Sequence, residues 1–63
     1  MAIPEWQAQR LRAVLCRVSQ LRAARFFGVS FQTLQRAAEG KQLQRAKYLR
    51  LTALLGDTRP LGI

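Results

Sequence analysis

The chain has 63 residues, with 11 Lys and Arg against three Asp and Glu and no histidine, giving a formal net charge of +8. That length allows one small domain whose core is marginal by size alone, so pairing with a second copy would help it. The 49% hydrophobic content argues against disorder, and one cysteine without histidine excludes a disulfide framework or a Cys/His zinc site within one chain.

Residues 1–3 form a short lead-in. Pro4 suits the first position of a helix, where its missing N–H would be unpaired anyway, and Glu5 beside it complements the helix dipole. Leu11, Val14, Leu15 and Val18 make one apolar stripe, extended by Ala8 and, in one reading, by Trp6, which predicts a first helix over residues 4–17. Arg10, Arg12 and Arg17 lie mostly off that stripe. Cys16 is expected as a partly buried small apolar residue in a reducing compartment. Trp6 has two readings. Either it caps the core where the first helix meets the last, or it sits partly exposed at a dimer contact, where Trp is enriched.

Two short amphipathic segments follow, over residues 20–27 and 31–39, flanking a Gly28-Val29-Ser30 turn. Ser19 and Ser30 are good N-caps, because a hydroxyl can accept from the free N–H groups of a first helical turn. Gly28 stands where the chain must turn sharply, and glycine reaches positive φ there without strain. Leu21, Ala24 and Phe27 are expected to face inward on the first of these helices, with Arg22 and Arg25 outward. Ala24 would let the two helices cross closely. On the second, Leu34, Ala37 and Ala38 face inward. Its outer face carries Phe31, Gln32, Gln35 and Arg36, with Thr33 at the margin. It has no acidic group until Glu39. Glutamine can bond adenine N6 and N7 in pairs, and arginine guanine O6 and N7, so this face matches base edges. Phe31 either packs on a thymine methyl or belongs to the core. Gln20, opening its helix, either meets a DNA phosphate or is simply solvated.

Gly40 ends this helix and Lys41 follows. A fourth helix is predicted over residues 42–55, with Leu43, Ala46, Tyr48, Leu49, Leu51, Leu54 and Leu55 making an apolar face wider than one packing surface needs. The excess would form a two-fold dimer seam. Gln44, Arg45, Lys47 and Arg50 are phosphate contacts if that end faces DNA and a solvated face if not. Gly56 stops the helix. Residues 56–63 form a tail, either mobile or docking Leu61 and Ile63 on a partner subunit.

The pattern of Gln20, Ala24, Phe27, Gly28, Val29, Ser30, Thr33, Leu34, Arg36 and Gly40-Lys41 resembles the helix-turn-helix of phage Cro and lambda-repressor-like DNA-binding domains. Such domains more often carry larger aliphatics where this chain has Ala23 and Ala37, and Phe26 and Phe27 would supply the missing volume. The resemblance implies an all-α, four-helix domain over residues 1–63. It implies base contacts at Phe31, Gln32 and Arg36 and phosphate contacts at Ser30, Thr33 and Lys41. The loop carrying Lys41 is where such domains touch the sugar-phosphate backbone.

With no histidine, three scattered carboxylates, a cysteine lacking a histidine partner and no Gly-rich phosphate loop, an enzyme is not expected. No cofactor or small-molecule ligand is expected either. No apolar run reaches 18 residues, so no membrane span is predicted, and the N-terminus does not read as a secretory signal. The default location is the cytoplasm of a bacterial or phage-infected cell. The charge and the motif together predict a sequence-specific DNA-binding transcriptional regulator. It would be a Cro-like repressor that binds a palindromic operator in double-stranded DNA as a homodimer. The alternatives are a non-specific architectural DNA-binding protein and a module that binds an acidic protein partner.

Overall fold

In a computed structural model that describes residues 1–62, the chain forms four helices and a closing turn. These are α1 (Glu5–Arg17), α2 (Gln20–Phe27), α3 (Phe31–Ala38), α4 (Arg45–Leu55) and a 3-10 turn (Arg59–Leu61). No strand occurs among the described residues. The core takes Leu11 from α1, Phe27 from α2, Leu34 from α3 and Leu51 and Leu55 from α4, all essentially removed from solvent. Each such side chain contributes roughly 1.5–3 kcal/mol by its burial. Ala8, Ala23 and Ala37 are fully buried between them. Small side chains there let the helix axes approach. Phe27 fills the centre and Phe26 packs beside it edge-on, with ring centroids 4.9 Å apart. The volume expected from this pair is supplied mainly by Phe27.

The two serine caps form as expected. Ser19 accepts from the Arg22 N–H and Ser30 from the Thr33 N–H, each at 3.2 Å. Gly28 ends α2 at φ 69°. The end of α3 is a Schellman closure, with Gly40 N–H donating to Ala37 O and Lys41 N–H to Arg36 O, both at 3.0 Å.

Several expectations are corrected. Pro4 is the residue before α1, not its first member; its carbonyl accepts from the N–H groups of Gln7 and Ala8 at 3.0 Å. Trp6 is 62% exposed, which overturns the core-capping reading and agrees with the exposed one, and Cys16 is exposed rather than partly buried. Each stands five residues from Leu11, about 140° round the helix, so neither shares its buried stripe. On α2 the inward pair is Ala23 and Phe27, an i, i+4 pair. Leu21 is 60% exposed and Ala24 only half-buried. The helix is thus rotated by one position from the expected phase.

Helix α4 starts at Arg45, three residues later than expected. The reason lies at the other end of the chain. Leu43 donates its N–H to Met1 O at 2.7 Å, and its carbonyl accepts from the Met1 ammonium at 2.6 Å. With both peptide groups so engaged, Leu43 cannot join a helix, although its side chain is buried. The tail is neither loose nor set aside for a partner up to Gly62. Leu61 is buried in the domain's own core, and its carbonyl lies 3.4 Å from Arg22 Nη2. Ile63 lies outside the described residues. The wide apolar face of α4 divides in two. Leu51 and Leu55 point inward, Tyr48 and Leu54 lie at the margin, and Ala46, Leu49 and Ala53 face outward.

Candidate nucleic-acid interface

Helix α3 is held by α1 and α2, and its three buried positions fix which way it faces. With Leu34, Ala37 and Ala38 inward, Gln32 and Arg36 stand four residues apart at the middle of the outer face. Gln35 flanks them on one side and Thr33 on the other. Gln32, Gln35 and Arg36 are exposed, while Thr33 and Phe31 are half-buried. Phe31 packs against the core cluster and so does not stand free in solvent.

The other expected contacts fall around this face. Ser30 and Thr33 are linked at the start of α3, with their hydroxyl oxygens 2.9 Å apart. Lys41 is exposed in the segment after α3. Gln44 precedes the first residue of α4 without capping it by a side-chain hydrogen bond, and Arg45 is exposed beside it. One open cleft brings together Thr33, Arg36, Gln42, Leu43, Gln44 and Lys47. Gln20 is exposed at the start of α2 and does not line that cleft.

The electrostatics are one-sided. Neither α2 nor α3 contains a carboxylate. Glu5 pairs with Arg12 at 3.0 Å, and Asp57 pairs with Arg59 at 3.0 Å. The bond from Arg59 holds the Asp57 carboxyl below its ordinary pKa. Glu39 stands at the end of α3. Arg36, Lys41, Arg45 and Lys47 therefore have no ion-pair partner among the described residues.

Two arginines that sequence reasoning left on the surface support this face from behind. Arg50 of α4 donates from Nη1 to Gly28 O at 3.2 Å, covering the turn between α2 and α3. Arg12 of α1 donates from Nη1 to Ala38 O at 2.5 Å, satisfying a carbonyl at the end of α3. No local spacing marks either residue, because their partners lie 22 and 26 residues away.

Among the described residues, no group of three or more His, Cys, Asp and Glu could hold a metal ion. No helix there is long and apolar enough to cross a membrane. A short helix with an exposed amide and guanidinium face, set behind a capped glycine turn and surrounded by unpaired cations, defines a helix-turn-helix DNA-binding domain. Residues 11–45, more than half of the chain, match the family described as helix-turn-helix, Psq domain, and the chain belongs to that family. The match runs from the middle of α1 to the first residue of α4, and so includes both helices of the motif and the turn. Comparisons with curated proteins and with solved structures return no match.

Proposed function

We propose that this protein is a sequence-specific transcriptional regulator, a repressor of the phage Cro type that binds a palindromic operator as a homodimer. The observation that carries the reading is the outer face of α3, where Gln32, Gln35 and Arg36 are exposed together without a carboxylate among them. Set in a major groove, these side chains read base edges, Gln32 favouring an A·T pair and Arg36 a G·C pair. Phe31, half-buried at the leading end, offers its free edge to a thymine methyl. Gln20, Ser30, Thr33, Lys41, Gln44 and Arg45 hold backbone phosphates on either side and fix the register of α3.

The homodimer is supported by size and by α4. The longest extent of the protein is 27 Å, less than the roughly 34 Å between successive major-groove half-sites. Two copies are therefore needed to read both. Ala46, Leu49 and Ala53 give α4 an uncovered apolar stripe for the second copy.

Selection of bound duplexes from a random pool at about 150 mM salt tests the reading, since lower salt lets phosphate contacts swamp base readout. An enriched palindrome is the expected result. Specific affinity should exceed that for random DNA by about a thousandfold or more. Binding without enrichment would replace the regulator with an architectural DNA-binding protein. Absence of binding would replace it with a module for an acidic protein partner.

A further inference from the structure

The cleft between α3 and α4 holds two cations that the fold itself does not use, Arg36 and Lys47. Lys47 is half-buried there, with Thr33 and Arg36 across from it on α3 and Gln42 and Gln44 from the connecting segment. A carboxylate or another anion commonly pairs with a lysine ammonium set in a cleft. None does so here. No carboxylate lines the cleft, and Lys47 has neither an ion pair nor a hydrogen bond among the described residues. The remaining polar groups are suited to an anion. Ser30 Oγ already accepts from the Thr33 N–H. It can therefore give its own proton to Thr33 Oγ1 and leave the Thr33 proton for an outside acceptor. The Gln44 side chain is not spent on capping α4.

We infer that this cleft is a subsite for a single phosphate of the DNA backbone, with Lys47 as its cation and Thr33 and Gln44 as its neutral donors. This rests on the reading that α3 enters the major groove. A phosphate held between α3 and α4 fixes how deep α3 sits, while the bases are read beside it by Gln32 and Arg36. Lysine suits the task, because a compact ammonium accepts phosphate from many directions. The assignment separates Lys47 from Arg50, which lies three residues on and carries the same charge. Arg50 donates to Gly28 O and lines the adjoining pocket with Gln44 and Lys47, but does not line this cleft.

Lys47→Gln and Arg50→Gln decide the matter. The logarithm of affinity is measured against the logarithm of salt concentration, on the selected operator and on a random duplex of about 25 bp, where each phosphate contact contributes a slope of about 0.9. Thermal melting confirms that each variant folds. The expected result is that Lys47→Gln flattens the slope by about 0.9 on both duplexes, with base preferences unchanged. Arg50→Gln keeps the wild-type slope, as does Lys47→Arg, which retains the charge. A wild-type slope in Lys47→Gln, or equal flattening in both glutamine variants, would overturn the subsite and leave sequence recognition standing. Wild-type protein without salt-dependent affinity for either duplex would sink the regulator reading itself, and the subsite with it.

Discussion

Gly28 carries two constraints at once. Its φ of +69° lies in the left-handed region, and a Cβ built on it would stand 2.6 Å from Arg50 Nη1 and 3.6 Å from Arg50 Cδ. A side chain there pays about 1–2 kcal/mol for the backbone conformation and pushes the Arg50 guanidinium off the turn carbonyl. Gly28→Ala is therefore expected to lower Tm by several degrees, since about 1 kcal/mol moves a domain of this size by roughly 4–8 °C. It should weaken operator binding as well, because the turn sets the angle between α2 and α3. An unchanged Tm by calorimetry would count against both constraints. Gln7 is the opposite case. It is buried, and its Oε1 has no hydrogen-bond partner. A buried unsatisfied acceptor costs about 1–3 kcal/mol, and an apolar group of similar shape removes that cost. Gln7→Met should thus raise stability by about 1 kcal/mol, read as a higher denaturation midpoint. A lower midpoint would mean that the amide is satisfied after all. Gln7 was legible by position, four residues before Leu11 on the same stripe, but its residue type disguised it as a surface side chain.

On the proposed reading specificity rests on helix α3, and Gln32 at the centre of its outer face gives the sharpest test. Gln32→Ala should cost about 1–3 kcal/mol of discrimination at one base pair while leaving the salt slope as it was. A reduced slope with unchanged base preference would make Gln32 a phosphate contact instead. The bounds of α2 and the start of α3 could be read from the chain because their determinants are local: Ser19, Gly28 and Ser30 act within four residues of themselves. The outer face of α3 was legible for the same reason, since periodicity separates Leu34 and Ala37 from Gln32 and Arg36. What failed depends on distant partners. The start of α4 is set by Met1 bonding Leu43, 42 residues away. The tail is set by Leu61 entering the core near α2. The phase of α2 missed by one residue because Leu21 and Ala23 are both apolar, and only the packing of Phe27 chooses between them. Sequence reasoning groups Lys47 and Arg50 as candidate phosphate contacts, but their separation, Arg50 over Gly28 and Lys47 in the α3/α4 cleft, was not legible because both look like ordinary charges on an amphipathic helix.

At the scale of the whole molecule, a body 27 Å long cannot place one recognition helix in each of two major grooves about 34 Å apart. A palindromic operator therefore makes a prediction about α4. Leu49 is 52% exposed, and with Ala46 and Ala53 it forms the stripe on which a second copy would rest. Leu49→Glu leaves the buried Leu51 and Leu55 untouched, so the variant should still unfold cooperatively, its melting temperature lowered only by the lost dimer stabilisation. Two like charges brought face to face across a two-fold axis would repel, however, because an isologous contact repeats every residue on both sides. Sedimentation equilibrium should then show the variant as a monomer where the wild type dimerises. Affinity for the full palindrome should fall toward that for a half-site, since joined copies bind the second half-site at high effective concentration and separate copies do not. Half-site affinity itself should stay close to that of the wild type, apart from the small loss caused by one added negative charge. If the variant keeps full affinity for the palindrome, α4 is not the seam, and two copies must meet through another exposed face, of which the one carrying Trp6 on α1 is the next to test.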